Sequence, residues 1–221
     1  MNQEERDKLP DYSDTQHDGT FKEMKSMKWL PWVGRSYERT RTIIVGESHY
    51  EDGDDWQENN PEATRIVISK QFTDQRGKTY SYAEKALLGK DQTTAADGLR
   101  VWPAVASMNV VQRLMSSIQE RPNDEDFDQG WISVLGVAEY LKASTCVVLG
   151  KSGLGRLGYL LANHDTGWER IRFDLTERIV IIRKDDQQLT FTFINHPSAP
   201  VAFDRERWTN LIRKNAPELE F

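Results

Sequence analysis

The feature of this sequence that most constrains its fold is a set of three short apolar runs, each followed at once by polar residues. Residues 42–45 lead into GESHY, residues 145–149 into GKSG, and residues 189–194 into NHPSAP. Such runs are typical of strands buried on both faces, and segments with helical spacing lie between them. The order predicts an α/β fold with a mainly parallel sheet and helices on both faces. Because parallel strands end at one edge, the three polar loops are expected to meet in one cleft.

The local patterns predict four strands and six helices. The predicted strands span residues 42–45, 145–149, 178–183 and 189–194. The predicted helices span residues 63–72, 81–88, 103–118, 131–142, 154–161 and 205–214, the third with a break near Met108 and Asn109. The segment RPNDEDFDQG, residues 121–130, is predicted to be a linker whose acidic residues cap the helix that follows.

Length and charge distribution favour one domain with an appended arm. The 221 residues predict a single domain at 29–221 with an insertion at about 51–97, preceded by an acidic N-terminal arm at 1–28. Residues 1–60 contain 8 Lys or Arg and 14 Asp or Glu, a difference of −6 that equals the net charge of the whole chain. The rest of the chain is therefore balanced and can carry a local basic face for DNA.

Other features of the composition narrow the location and the cofactors. No apolar run approaches the roughly 18 residues that a membrane span needs, and the polar N-terminus lacks the apolar core of a signal peptide. Cys146 is the only cysteine, which excludes an intrachain disulfide and a four-cysteine zinc or iron–sulfur site within one chain. We expect a cytoplasmic, monomeric protein with no metal, no iron–sulfur cluster and no other cofactor.

The GESHY loop is compatible with several chemistries, and neighbouring residues argue against most of them. A phosphate loop would need a glycine at the position of Thr145, five residues before the second glycine of its motif. A nucleophile elbow would need a glycine at the position of Tyr50, and Ser48 and His49 are adjacent residues that point apart on an extended chain. A zinc site built from this loop and His196 lacks the i, i+4 histidine spacing of a helical metal site.

What remains is a carboxylate, Glu47, at the end of one strand and an imidazole, His196, at the end of another. A carboxylate can orient and activate a water molecule, and a histidine can donate a hydrogen bond to an anion that develops as a bond breaks. The alternative interpretation is structural, with a solvated turn at GESHY and a capping segment at HPS.

Four segments in chain order resemble the uracil-DNA glycosylase superfamily. VGESHY resembles the first active-site motif, which reads GQDPY in the classical branch and GEAPG in the branch with iron–sulfur clusters, and NHPSAP resembles the second motif, HPSPLS. WPAVASMNVVQ is similar to the region that supplies the base-reading asparagine, and STCVVLGKSGLGRL to the third core strand with its helix. The likeness covers residues 29–214. It implies a three-layer α/β/α sandwich with a four-stranded parallel sheet, and an enzyme that flips a deoxynucleotide out of the duplex to hydrolyse its N-glycosidic bond.

The resemblance also implies roles for individual residues around the flipped base. Glu47 would position the water and stabilise the sugar cation, and His196 would stabilise the departing base anion. Asn109 would read the edge of the base through its paired donor and acceptor. Tyr50 would shape the pocket, and Trp56 is a candidate stacking partner for the base.

Ser48 and His49 are the positions where the loop departs from the family. Ser48 stands where the classical motif has aspartate, and His49 stands where both motifs have proline. We therefore expect these two residues to border a base other than uracil. The residues implied to contact the DNA strand are Pro197, Ser198, Lys151 and Ser152 along the phosphates, and Pro200 or Val201 as a wedge in the vacated stack.

The expected function is that of a monofunctional DNA glycosylase acting on a modified or damaged pyrimidine. The superfamily includes prokaryotic defence enzymes that remove bulky modified bases from phage DNA, which makes such a base a candidate substrate. Two alternatives stay open. One is a non-catalytic module that binds nucleic acid or protein on the same fold, and the other is a hydrolase of free nucleosides or nucleotides.

Overall fold

The computed structural model describes residues 12–51, 58–73, 76–197, 203–217 and 219–221, which form a central β-sheet flanked by helices. The strands are β1 (Trp32–Val33), β2 (Thr42–Gly46), β3 (His49–Tyr50), β4 (Ala106–Asn109), β5 (Leu114–Met115), β6 (Thr145–Leu149), β7 (Glu169–Asp174), β8 (Ile179–Lys184) and β9 (Gln187–Ile194). The α-helices are α1 (Asp18–Glu23), α2 (Ala63–Ser69), α3 (Lys78–Leu88), α4 (Ala95–Val101), α5 (Asp124–Tyr140), α6 (Leu154–Asn163) and α7 (Arg205–Asn215).

The central sheet is mixed and has seven strands, in the order β1–β4–β2–β6–β9–β8–β7. Four neighbouring strands, β4, β2, β6 and β9, run parallel to one another. The edge strand β1 on one side, and the hairpin strand β8 on the other, are antiparallel to the strands they join. The expectation of a four-stranded sheet is thus corrected to a seven-stranded mixed sheet, because β1 extends the parallel block on one side and β8 and β7 extend it on the other.

The fourth parallel strand lies where the sequence predicted a helix. Residues 103–118 have apolar spacing compatible with a helix, yet Ala106–Asn109 form β4 and pair with β2. All four residues of β4 are buried. A strand covered on both faces shows no alternation of polar and apolar residues, so a run this short cannot be told from a buried helix by periodicity.

The sheet is covered on both faces, which gives three layers. Along β2, Ile43 and Val45 join the core formed with α5 and α6, whereas Ile44 joins the core formed with α3, α4 and α7. This alternation is the period-two geometry of a strand, and it explains why the run is apolar throughout. The helices predicted at 63–72, 81–88, 154–161 and 205–214 are present with small differences at their ends.

Helix α5 begins seven residues before the predicted start, inside the segment expected to be a linker. Asn123 accepts a hydrogen bond from the backbone N–H of Asp126, whose side chain accepts in return from the backbone of Asn123 (both 2.9 Å). This reciprocal capping box satisfies donors that the first helical turn leaves unpaired. Three of the four acidic residues of the segment, Asp124, Glu125 and Asp126, therefore lie within the first turn of the helix, where the helix dipole favours negative charge.

Residues 12–28, the described part of the expected arm, pack against the domain. Phe21 of α1 is fully buried in the core. Asp18 forms an ion pair with Arg65 of α2 (2.5 Å), and Arg65 also pairs with Glu62 (2.9 Å). The guanidinium of Arg65 is almost completely buried, so these carboxylates compensate for its lost hydration.

The described residues of the expected insertion build part of the second helical layer, through α2, α3 and the start of α4. Glu84 of α3 is fully buried and accepts hydrogen bonds from Arg76 and from the indole nitrogen of Trp102 (2.7 Å to the latter). Burial raises the pKa of Glu84, and the two donors oppose this shift. Within the described ranges, no helix is both long and apolar enough to span a bilayer.

Candidate functional site

The four parallel strands bring their carboxyl ends to one edge of the sheet. Gly46 at the end of β2 is in register with Asn109 at the end of β4. The chain after β2 is then fixed by the chain after β4, because the N–H of Val111 donates to the carbonyl of Glu47 (2.9 Å). On the other side, the N–H of Gly150 after β6 donates to the carbonyl of Ile194 at the end of β9 (3.0 Å). Backbone hydrogen bonds thus hold the loops that carry the candidate residues.

Glu47 and His196 converge on Gly150. A Cβ atom at Gly150 would lie 3.8 Å from Oε2 of Glu47 and 3.7 Å from Cβ and Cδ2 of His196. Gly150 has a φ angle of +129°, a conformation that other residues rarely adopt. The glycine therefore permits the turn after β6 and leaves space between the carboxylate and the imidazole.

Ser152 is the hydrogen-bond partner of the candidate carboxylate. Its hydroxyl donates to Oε2 of Glu47, across the gap between the loops after β2 and β6. Glu47 itself is half-buried. The hydrogen bond restricts the rotation of the carboxylate, and among the described residues no hydrogen bond to its second oxygen, Oε1, is present. The expected contact of Ser152 with the DNA backbone stays a prediction, and in the structure its hydroxyl contacts Glu47.

His196 lies in an environment that disfavours its charged form. Burial lowers the pKa of His196 below its ordinary value of 6.5, and the nearby charge of Arg121 lowers it further, while Glu47 acts in the opposite direction. The net effect is downward, so the ring is mainly neutral at pH 7. A neutral imidazole has one N–H donor, and it can stabilise an anion by a hydrogen bond without first gaining a proton.

Asn109 presents its side-chain amide beside the glycine that ends β2. The residue is buried, at 4% exposure, and its Oδ1 occupies the space that a Cβ of Gly46 would need. The backbone carbonyl of Asn109 accepts a hydrogen bond from the side chain of Gln112 (2.7 Å). A side-chain amide carries donors and an acceptor, which suits it to hydrogen bonding with a ligand at this edge of the sheet.

A narrow cavity lies next to Glu47, between the sheet edge and α5. Its walls include Phe127 and Trp131 of α5, together with Gly150. Its volume of about 10 Å³ corresponds to about one water molecule, far less than a nucleobase needs. Trp131 fixes this wall by donating from its indole nitrogen to the carbonyl of Gly153 (3.0 Å).

The structure places His49 in the interior instead of in this cleft. Its ring is 6% exposed, packs edge-to-face on Trp29 (4.7 Å between centroids) and lies within hydrogen-bond distance of the Thr64 hydroxyl (3.2 Å). The side chain of His49 therefore links β3 to Thr64 of α2, and the expectation that it borders the substrate stays a prediction. Ser48 has a buried hydroxyl with no partner in the described residues, and Tyr50 packs half-buried against the core.

Of the remaining residues expected to contact DNA, one is exposed at the site, one is buried, and four lie outside the described ranges. Lys151 is exposed at the same edge as Glu47, in the turn between β6 and α6. Pro197 is buried directly after His196. The expected stacking, phosphate and wedge positions that lie outside the described residues are Trp56, Ser198, Pro200 and Val201.

Sequence reasoning missed Arg121, Phe127 and Trp131. Arg121 is exposed, makes no ion pair within the described ranges, and acts electrostatically on His196. It lies in a segment that resembles a linker, so no local pattern marks it. Phe127 and Trp131 are four residues apart and share one face of α5, a spacing visible in the sequence but typical of any core helix.

In the described part of the chain, no group of three or more His, Cys, Asp or Glu side chains could hold a metal ion. No protein-family model matches the sequence, and no curated protein matches it significantly. The geometry of this edge of the sheet is therefore the basis on which a function can be inferred.

Proposed function

We propose that this protein is a DNA glycosylase that hydrolyses the N-glycosidic bond of a modified pyrimidine and leaves an abasic site. The observation that carries the proposal is the convergence of Glu47 and His196 on Gly150, at the carboxyl ends of β2, β6 and β9. Such an edge is where α/β sheets commonly bind ligands. The motif order along residues 29–214, and a buried asparagine at the end of β4, support the same assignment.

The pair suits a reaction in which a carbon–nitrogen bond breaks and the base departs as an anion. A water molecule beside Glu47 attacks the anomeric carbon as that bond breaks, and the carboxylate takes up the proton that the water loses. The negative charge of Glu47 also stabilises the positive charge that develops on the sugar. The cavity next to this carboxylate has the volume of about one water molecule, which fits this role.

His196 would act on the other product. Its lowered pKa keeps the ring mainly neutral at pH 7, so it donates a hydrogen bond to the base as negative charge appears there. Arg121 would add positive charge near this product, because its charge already contributes to the lowered pKa of His196. Asn109 would hydrogen-bond the edge of the base, whose chemistry would select the substrate.

DNA is the proposed partner despite the negative net charge of the chain. The excess of acidic residues lies in residues 1–60, and the rest of the chain is balanced. Lys151 and Arg121 are exposed and make no carboxylate ion pair in the described residues, and both belong to the loops around the site. Unpaired cations of this kind attract phosphates and make DNA binding salt-dependent.

The test is release of bases from a panel of synthetic duplexes and single strands. The panel should contain uracil, 5-hydroxymethylated and glucosylated pyrimidines, and each product should be treated with alkali to reveal abasic sites. We expect cleavage of at least one modified substrate. Glu47→Gln should reduce the rate by about 10²–10⁴-fold, the typical contribution of a general acid or base, while DNA binding persists.

The matched control is Glu38→Gln, which changes an exposed glutamate near the opposite end of β2 and should retain full activity. Absence of abasic sites on every substrate would reject the proposal. Hydrolysis of free nucleosides with indifference to DNA would instead identify a nucleoside hydrolase. Salt-dependent DNA binding without base release would identify a non-catalytic module.

A further inference from the structure

A second cavity, of about 230 Å³, lies between the turn that joins β7 to β8 and helix α7. Arg178 from the turn, and Arg207, Asn210 and Lys214 from the helix, contribute to its walls. The wall also includes Trp208, which is 1% exposed. The cavity is thus lined by three cations and an aromatic ring, and neither the motifs nor the proposed reaction assigns it a role.

The two arginines share one aromatic ring. The guanidinium carbon of Arg178 lies 5.2 Å from the centroid of Trp208, and that of Arg207 lies 4.8 Å from it. Such cation–π contacts hold a guanidinium in place without neutralising it. Burial lowers the pKa of Arg178, and the charge of Arg207 lowers it further, which shows that the two positive charges are close enough to repel each other.

Neither arginine has an acidic partner among the residues that the structure describes. Arg178 donates to the side-chain oxygen of Asn195 (2.6 Å), which is a neutral group. By contrast, Arg113 and Arg156 are each held by two carboxylates. Two adjacent cations without a counter-ion are unfavourable in the free protein, and an anion between them would remove the repulsion.

Further groups on the same wall match an oxyanion. Lys214 belongs to the cavity wall and forms an exposed ion pair with Glu177 (3.2 Å), so one carboxylate of the wall is already compensated. The indole N–H of Trp208 is buried and has no hydrogen-bond partner within the described ranges. Guanidinium groups bind phosphate oxygens through pairs of parallel hydrogen bonds, because the planar fork of N–H donors matches the spacing of two oxygens.

We propose that the Arg178–Arg207 cavity is a binding pocket for a phosphate group, carried either on a nucleic-acid strand or on a free nucleotide. The pocket is connected to the candidate site through the chain, because Asn195, the acceptor for Arg178, directly precedes His196. A phosphate bound here would therefore lie next to the loop that carries the imidazole. The pocket is independent of base excision, since binding at the two arginines requires no catalysis by Glu47.

The test measures binding of two kinds of ligand to the wild-type protein and to Arg178→Gln and Arg207→Gln. The first ligands are inorganic phosphate and pyrophosphate, and isothermal titration calorimetry measures their binding. The second ligand is a fluorescent 15-nucleotide strand, and fluorescence anisotropy measures its binding at several salt concentrations. The matched control is Arg170→Gln, which removes an exposed arginine that lies over Phe173 (5.8 Å) at the far end of β7.

We expect pyrophosphate affinity to fall about tenfold or more in each pocket variant, because each variant removes a charge-assisted hydrogen bond to the anion. Arg170→Gln should bind as the wild type does. If the pocket holds a nucleic-acid phosphate, Arg207→Gln should also reduce the dependence of log K on log salt by about one unit. If it serves free nucleotides, the pocket variants should weaken pyrophosphate binding and leave strand binding unchanged.

The proposal is overturned if the wild type binds neither phosphate nor pyrophosphate at millimolar concentration and all three variants bind the strand equally. Because Arg178 donates a hydrogen bond to Asn195, the fold of Arg178→Gln should be checked by circular dichroism and thermal unfolding. Arg207 is exposed and bonds no other side chain through its guanidinium in the described residues, so Arg207→Gln tests the pocket even if the first variant misfolds.

Discussion

The burial of His49 makes a quantitative prediction about how stability depends on pH. The ring is enclosed by Trp29 and Thr64, and burial lowers the pKa of His49 from 6.5 to about 4. Water solvates the imidazolium in the unfolded chain, whereas in the folded protein no carboxylate among the described residues offsets the burial of this ring. Protonation of His49 therefore favours unfolding.

The sign and size of the effect follow from proton linkage. Between pH 4 and pH 6.5 the unfolded chain binds the proton and the folded protein does not, so the free energy of unfolding rises with pH. The penalty is nearly absent at pH 7, grows as the pH falls through 6.5, and levels off below about pH 4. With these two pKa values, the free energy of unfolding falls by about 2 kcal/mol between pH 7 and pH 5, and by about 3 kcal/mol between pH 7 and pH 4.

The assay is urea unfolding of the wild type and of His49→Gln at pH 7 and pH 5. Glutamine can keep a hydrogen bond to Thr64 but does not titrate. Between pH 7 and pH 5, the free energy of unfolding of the variant should therefore fall by about 2 kcal/mol less than that of the wild type. The carboxylates and His196 titrate in both proteins, and their contributions cancel in the comparison. His164→Gln, which removes an exposed histidine, controls for the loss of a surface imidazole.

An equal loss of stability in the wild type and in His49→Gln would refute this reasoning. It would mean that water reaches the ring of His49 in the folded protein. His49 would then again be a candidate for the border of the substrate site, as the GESHY loop alone suggested.

Two glycine substitutions test the packing around the site. Gly46→Ala would place a methyl group against Oδ1 of Asn109. We therefore expect the rate of base release to fall about tenfold or more, and the free energy of unfolding to fall by about 1–3 kcal/mol. Full activity in a folded variant would contradict the role of the asparagine. Gly130→Ala would place a methyl group against the backbone carbonyl of Val110, which cannot rotate away, so urea unfolding should show a loss of about 3 kcal/mol or more. A much smaller loss would contradict the close approach of α5 to the chain after β4.

The elements that were predicted well are those with a strong local pattern. The apolar runs at β2, β6 and β9 are strands, and α3, α6 and α7 follow their helical spacing. The hairpin strands β8 and β9 were also predicted, although their antiparallel pairing was not. Pairing joins residues from different segments, and it depends on packing that a short window of sequence does not contain.

The elements that were missed have weak or misleading local patterns. Strand β4 is four residues long and buried on both faces, so its apolar spacing fits a helix equally well. Strand β1 has only two residues, and β7 is an exposed edge strand rich in charge. Edge strands of this kind carry charged side chains that discourage pairing with other chains, which removes the usual hydrophobic signal.

The candidate site shows the same division between local and distant information. Glu47 and His196 were identified because each follows an apolar run directly, and parallel strands bring such ends together. The partners of these residues were not identifiable. Ser152 is 105 residues from Glu47 in the chain, and Arg121 lies in a segment without a recognisable pattern.

The sequence alone determined the α/β class, the main strands and helices, and the carboxylate and imidazole at two strand ends, because these depend on local periodicity and on neighbours in the chain. Only the tertiary structure decided that β4 joins the sheet, that His49 is buried against Trp29, and that Arg178 and Arg207 share the ring of Trp208. The pairing of β4 with β2, the packing of His49 on Trp29 and the contact of Arg178 with Trp208 each join separate segments of the chain. Their existence depends on which surfaces meet when the layers pack, and no local pattern encodes that choice.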